Sequence, residues 1–526
     1  MLAASGLFGM SSGIHAAEID LGESDVKLRW DNTVKYSAAW RVNKLDGRVA
    51  GTANNPNLDD GDRNFGKGLI SNRLDLLSEL DASYKAFGVR VSGAAWYDDV
   101  YNRGNDNNGA GAINSSSVPA GEFTRATSRL HGQKAEFLDA FTYGRVDLAP
   151  ESSVSYRLGR HTLLYGETLF FGGNGIANAQ TPIDVIKAVS VPNSQFKEFM
   201  MPVNQLSASF QVNPALSIGG YYQLEWRKYR LPASGSYFSF ADFLDAGGEQ
   251  LILGPGAVAT RSKDLSARDS GQGGLQMKYK SGDVEYGLYA ARYHDKVPLV
   301  QLNVDSMTYK LVYPQDIKTY GASVSTVVGE TNVALEVSVR RDTPLSPSAG
   351  LIVTADPSAD GRHNPAYPLG NSFHANLSWI SVFNANSLWQ GAELLGELGY
   401  NRVTGVTRNR EALDPNTTRD AAAIRFLFSP QYFQVYPGVD LTVPIGVGYG
   451  LIGRSAVSNF GGLPEHGGDA SIGLSADIKK QWKAALNYTR YYGPTGSVLR
   501  PDSSALSFDQ TMKDRSFISF ALQTAF

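Results

Sequence analysis

Three stretches of this chain have residue types at spacings that could do chemistry. Gly448-Tyr449-Gly450-Leu451-Ile452-Gly453 carries the glycine spacing of a dinucleotide-binding turn, Gly9-Met10-Ser11-Ser12-Gly13 that of a nucleophile elbow, and Asp59-Asp60-Gly61-Asp62 sets three carboxylates beside a glycine. The first motif needs a strand before it and a crossover helix after it, but residues 437 to 447 read as part of a strand hairpin. The second lies in a leader that processing would remove. The third offers hard oxygen ligands suited to calcium. However, Asp59, Asp60 and Asp62 lack the alternate-residue spacing and distal glutamate of an EF-hand loop, so a solvated acidic loop is the better reading. The seven histidines never fall into H-x-x-x-H or H-E-x-x-H, so zinc hydrolysis has no support. No catalytic set and no cofactor are expected.

A looser set of charges is more informative. Arg160, Glu167, Asp184, Lys187, Glu225 and Arg227 crowd into one part of the chain. What they do depends on the elements that carry them, and the hydrophobic period shows which elements those are.

Between residues 26 and 42, Val26, Leu28, Trp30, Val34, Tyr36, Ala38, Trp40 and Val42 share one parity, with Lys27, Arg29, Asp31, Lys35 and Arg41 on the other. That is the period of a strand rather than a helix, with tryptophans near both ends of the apolar row, as the interfacial girdle of a membrane barrel requires. Similar rows place strands near 26–42, 70–84, 88–97, 135–147, 153–164, 204–212, 216–227, 272–280, 284–294, 317–327, 332–341, 373–383, 392–402, 421–429, 437–447, 469–478, 482–492 and 515–526. The connectors alternate between short turns, such as Asn213-Pro214-Ala215, and loops of roughly 18 to 44 residues rich in Gly, Asn, Asp, Ser and Pro. A soluble sandwich has no reason to keep its long loops at one end, whereas an outer-membrane barrel does. Inner-parity glycines such as Gly287, Gly321 and Gly399 would suit a wall that packs on a plug.

Composition agrees. The 526 residues include 55 Gly, 26 Tyr and no Cys, with 42% hydrophobic and 19% charged residues and a net charge of -3. Absent cysteine excludes disulfides, thiolate zinc and iron–sulfur ligation. The charge balance gives no basic field for nucleic acid. No apolar run reaches the length of a transmembrane helix. Residues 1–17 read as a remnant signal peptide with cleavage near Ala16 or Ala17, and 18–526 as one barrel. The last strand, with Phe520, Leu522 and Phe526 on one parity, has the form of a signal for the barrel-assembly machinery.

Residues 165–203 break the strand pattern. Phe196, Phe199 and Met200, between Pro192 and Pro202, suit one or two helical turns. The segment is expected to fold inward as a hatch or constriction, with a cap on the extracellular rim as the alternative. By parity Glu225 and Arg227 should face the lumen opposite Trp226, a girdle residue like Trp30 and Trp40. Arg160 would sit at the strand end that feeds the hatch. Together with Tyr165, Glu167, Asp184, Lys187 and Phe196 these are the candidate lumen residues.

Gly159-Arg160-His161 with Tyr165-Gly166-Glu167, the stretch from Asn178 to Asp184, the run Gly220-Tyr221-Tyr222-Gln223-Leu224-Glu225-Trp226-Arg227, the segment Phe238 to Leu244, and Tyr313-Pro314-Gln315-Asp316-Ile317 resemble a large group of proteobacterial outer-membrane proteins, domain-of-unknown-function family 1302. The resemblance spans nearly the whole mature chain. His161 and Tyr165 replace the family's usual glutamine and tryptophan, and the cysteines many members carry in the fourth long loop are absent. The resemblance implies an outer-membrane barrel that handles hydrophobic small molecules or lipids. It also implies a periplasmic lipid-carrier-like protein and an inner-membrane efflux-type transporter as partners.

The sequence therefore predicts an all-β transmembrane antiparallel barrel of about 18 strands, 16 being the alternative count, in the lipid bilayer of a bacterial outer membrane. Its expected role is a channel or transporter for small or hydrophobic and amphipathic compounds. A barrel enzyme of the lipid-hydrolase type and a poreless structural or adhesion barrel are the rivals.

Overall fold

The computed structural model describes residues 17–19, 24–51, 56–191, 195–458 and 460–526. One antiparallel sheet runs through the chain in sequence order and closes on itself. Its strands are β1 (Val26–Arg41), β2 (Gly68–Tyr84), β3 (Phe87–Asp98), β4 (Gln133–Ala149), β5 (Ser152–His161), β6 (Val203–Gln211), β7 (Leu216–Gln223), β8 (Gln272–Ser281) and β9 (Val284–Tyr293). They continue with β10 (Ile317–Val328), β11 (Thr331–Pro344), β12 (Leu369–Phe383), β13 (Gly391–Arg408), β14 (Asp420–Tyr436), β15 (Val439–Thr442 and Ile445–Ile452), β16 (Gly468–Ile478), β17 (Trp482–Tyr492) and β18 (Phe517–Ala525). Closure is made by β1 with β18, in register from Thr33↔Ala525 to Arg41↔Phe517. The wall has 18 strands, one at each place the period predicts.

This barrel is inside out relative to a soluble sheet. In β11, Leu335 and Val339 each keep 41% of their surface exposed while Glu336, one residue along, keeps 1%. The same inversion recurs in β8, β9 and β16, where Leu275, Leu288 and Leu474 are exposed. Apolar side chains turned outward all round a closed wall match hydrocarbon, and closure leaves no strand edge unpaired in it. Trp30 and Trp40 lie on this outer face, as do Phe520 and Leu522 by register, and Phe526 is exposed at the end of the chain. Among the described residues no helix is long and apolar enough to cross a membrane.

Several strand ends differ from the periodic reading, and β13, β14 and β15 run on to Arg408, Tyr436 and Ile452. β7 stops at Gln223, not at residue 227, because the chain leaves the wall: the Trp226 amide donates to Asp269 and its ring packs edge-on against Tyr313 at 4.7 Å. β5 ends at His161, and β15 is broken by Val443-Pro444, where proline offers no N–H to the ladder. The expected leader lies outside the described residues except for Ala17. Ala17–Ile19 pairs with residues 28–30 of β1, covering the edge beyond Phe526.

The short turns lie at one end and the long loops at the other. Parts of three long loops build a separate five-stranded sheet, in the order Leu351–Thr354, Leu299–Asn303, Thr308–Val312, Ala257–Arg261 and Gln250–Gly254. Its apolar side chains, among them Leu251, Val300, Leu302 and Leu311, form one buried cluster with Tyr229, Leu231 and Tyr313, a cap over the extracellular end.

Candidate functional site

The loop between β5 and β6 turns into the barrel and lies against the inner wall of β7–β14, with Val189 reaching the opposite side to pack near Ile70 and Phe517. It contains three short helical pieces, Ile176–Ala179, Val185–Ser190 and Phe196–Phe199. Its backbone is held by side chains of the wall. One carboxylate oxygen of Glu336 accepts from the Ile176 amide at 2.6 Å and the other from the Glu167 amide at 2.7 Å. A single oxygen of Glu397 accepts from the consecutive amides of Leu169, Phe170 and Phe171 at 3.1, 2.5 and 2.8 Å. From the same wall, Arg340 donates to the carbonyls of Gly173 and Gly175, and Asn174 is bonded by His374, Asn376 and Asn401. Hydrogen bonds to charged groups contribute about 1.5–3 kcal/mol each, and a buried partner left alone costs a similar amount. The segment is thus fastened by a polar latch rather than by strand pairing.

Small wall residues make room for it. A Cβ on Gly321 would fall 2.5 Å from Ile176, and one on Gly399 would fall 2.8 Å from Phe460 and 3.0 Å from Phe171, which meet edge-to-face. Within the segment, Gly172 lets the Phe196 ring approach to where a Cβ would sit 2.4 Å away. Gly287 is different, since it accommodates the wall's own Tyr289 and Ser323.

Of the candidate lumen residues, five lie in this inward segment. Tyr165 is buried against Tyr221, and Phe196 is buried edge-on to Phe199. The Glu167 carboxylate accepts from Lys278 on β8 at 3.1 Å. Asp184 caps the helix Val185–Ser190 and pairs with Arg230 at 2.7 Å, while Lys187 on that helix is exposed and donates to the Glu198 carbonyl. The helical turn expected around Phe196 ends at Phe199, and Met200 is extended. Pro192 lies outside the described residues.

The other candidates need correction. Arg160 pairs in register with Ala140 and Asn204, beside the exposed pair Leu158 and Leu206, so it is on the outer face at the rim, where a long side chain can carry its charge to the interface. Glu225 accepts from both nitrogens of Asn204 at that rim and does not face the lumen. Trp226 belongs to the cap cluster instead of the girdle. Carrying strand parity past the end of β7 misplaces Glu225 and Trp226, whereas Arg160 does sit at the strand end that feeds the inward segment but on the outer face. Arg227 does turn toward the interior, 3.7 Å from Glu136 of β4.

The latch residues Glu336, Glu397 and Asn174 escaped the sequence reading. Their signal was present, because Glu336 and Glu397 are the charged inner-parity residues of two rows whose apolar parity is plain.

The acidic loop is buried rather than solvated, and Asp62 is not part of a shared carboxylate group. Its carboxylate is taken by the buried guanidinium groups of Arg41 at 3.0 Å and Arg515 at 2.8 Å. Asp59 and Asp60 gather instead with Asp242, with carboxylate oxygens within 4.8 Å of one another. Arg63 pairs with Asp59. Burial, with the adjacent Asp59 charge, pushes Asp60 up to about 7. Among the described residues this is the one group of acids close enough to share a metal ion.

Opposite the latch, the inward side chains of β16–β18 and β1–β2 are small or polar along much of their length, with Leu77, Tyr491 and Phe517 as apolar exceptions. Ser475, Ala485, Asn487, Ala521, Lys35 and Asp75 are all partly exposed. The barrel interior therefore has one sector covered by the inward segment and one that faces water.

A family model described as protein of unknown function (DUF1302) matches residues 1–526. No curated protein matches the chain. Among solved structures, the chain is similar to OccAB1 of Acinetobacter baumannii, at 10% identity over 97% of this chain and 98% of that one, with a TM-score of 0.42. It is also similar to OpdG (OccK9) of Pseudomonas aeruginosa, at 10% over 95% and 97% with a TM-score of 0.42. A third is OmpT, an outer membrane protein of Vibrio cholerae, at 8% over 96% and 99% with a TM-score of 0.38.

Proposed function

The chain belongs to the DUF1302 family, and we propose that it is an outer-membrane channel whose passage runs between a latched inner hatch, residues 165–203, and the water-facing sector of the wall. The observation that carries this reading is the division of the interior. Eighteen strands enclose a lumen wide enough for water unless something fills it, and here the backbone of the filling segment is latched to β11–β13, while its helix Val185–Ser190 reaches the opposite wall beside Lys35 and Ile70. Small or amphipathic solutes fit such an eccentric path, with the partly exposed Phe170 and Ile186 giving the hatch apolar surface and the buried Phe196 and Tyr165 packing it from within. Glu336 and Glu397 hold the hatch in place, and Phe520, Leu522 and Phe526 present the last strand to the assembly machinery. In its envelope the barrel serves as the outer-membrane end of a route supplied by a periplasmic lipid-carrier-like protein and an inner-membrane efflux-type transporter.

Reconstitution of the purified barrel in planar bilayers tests the channel. Discrete ion-conducting steps are expected, together with swelling of proteoliposomes in small uncharged solutes. A correctly folded barrel that gives neither is a poreless structural protein.

A further inference from the structure

We propose that this channel, on the reading just given, selects small organic anions at a belt of cations between the hatch and the wall. The centre of the belt is Trp96, whose side chain faces the interior from β3. Three cations stand around its ring: Arg73 of β2 at 4.7 Å, Lys134 of β4 at 5.6 Å and Arg230 from the long loop between β7 and β8 at 5.6 Å. Lys134 is the direct cross-strand neighbour of Trp96. Cation–π attraction holds these charges in place where they would otherwise repel one another.

The acids at this level are too few to neutralise them. Glu136 alone serves Arg230 at 2.5 Å, Lys134 at 3.0 Å and Arg227 at 3.7 Å. Asp184 is shared with the same Arg230, and Asp75 pairs with Arg73 at 2.6 Å. Two more cations complete the belt from opposite sides of the passage. Lys187, exposed on the hatch, is close enough to Lys35 on β1 for the two charges to interact. Six cations therefore meet four carboxylates, the fourth being Asp98, the cross-strand neighbour of Arg73, and the rim residues Arg160 and Glu225 add one charge of each sign.

An excess of fixed positive charge at a constriction draws anions and repels cations, and the low-dielectric wall strengthens the effect. The belt is local. Deeper along the same strands Arg90 pairs with Glu79 and also lies near Asp81 and Asp139, so acids outnumber bases there. An anion is thus attracted to the belt and opposed beyond it, which makes the belt a binding station along the path. The indole and the apolar hatch surface beside it suit an anion with a hydrophobic body, such as an aromatic carboxylate.

The test is the reversal potential of the full-length protein in a planar bilayer under a potassium chloride gradient. Chloride preference is expected. Lys35→Gln, Lys134→Gln and Lys187→Gln should each move the reversal potential toward zero, and the triple variant should cross it, while Asp75→Asn should move it the other way. Benzoate should block the chloride current and benzylammonium should not. Retained heat-modifiable mobility on gels shows that each variant is folded, and Lys187→Gln, an exposed change, keeps the test available if a wall variant is not. A conducting channel that prefers potassium, or whose preference ignores these substitutions, overturns the belt and leaves the channel standing. Absence of conductance from folded protein overturns both.

Discussion

Two sectors of one barrel wall, built from the same alternating strands, put their inner-face polar residues to opposite uses. On β10–β13, Glu336, Asn376 and Glu397 are almost wholly buried; both oxygens of Glu336 and one of Glu397 accept from backbone amides of the inward segment, and the other Glu397 oxygen accepts from Asn376. On β1, β2 and β16–β18 the corresponding Lys35, Asp75, Ser475 and Asn487 stay partly exposed. A buried carboxylate without partners is costly, so the first sector is committed to whatever supplies its donors. The second carries fewer such obligations, because water reaches Ser475 and Asn487 and Asp75 pairs with Arg73. Occlusion and passage thus reside in different thirds of the wall, and the hatch can be loosened without unmaking the barrel.

Removing the hatch should break that division most completely. Replacing residues 166–201 by a short glycine–serine linker should raise single-channel conductance by roughly tenfold, toward that of an empty barrel. Unchanged conductance would show that the segment does not obstruct the path. The latch itself should yield next. Glu336→Ala with Glu397→Ala strips acceptors from five amides, those of Phe171 and Ile176 buried, at a cost on the order of 1–3 kcal/mol per buried unsatisfied group, and should give noisy openings severalfold larger. Glu79→Ala on the water-facing side is the control and should leave the hatch quiet.

Gly321→Leu should act more weakly through the same interface. Crowding Ile176 costs about 1–3 kcal/mol, read as a lower melting temperature and faster hydrogen exchange in the inward segment. Ala485→Leu on the open side should narrow the path, with little change in stability.

The smallest effect concerns the cap. The folded-state value of Asp60, about 7, lies above that of an unfolded aspartate, so the folded cap binds the extra proton. The associated stability is complete at pH below about 4 and lost as pH rises to about 7. Exchange protection around residues 57–66 should fall across that window while protection in β10–β13 stays level. Protection that rises with pH would reverse the assignment.

How much of this was legible without a structure follows from where each signal is stored. The eighteen strands were, because each strand face meets its own solvent and that contrast is written at every second residue. The inward course of 165–203 was anticipated from its broken period, but its latch was not. Nothing local marks Glu397 as a partner of three amides more than two hundred residues earlier. Parity also misleads where strands stop. Glu225 and Trp226 follow Gln223 in phase, yet the chain has by then turned out to Asn204 and Tyr313. The acidic loop looked solvated for a related reason, since the arginines that bury Asp62 come from residues 41 and 515. The fourth long loop, between β7 and β8, is held by the cap sheet and its apolar cluster.

By itself, then, the sequence determined the wall: its closure, its strand number and the face each wall residue presents, all consequences of a two-residue period between lipid and water. Only the tertiary structure decided which inner residues face solvent and which grip a loop. That choice depends on contacts between segments far apart in the chain, and neither period nor composition records them.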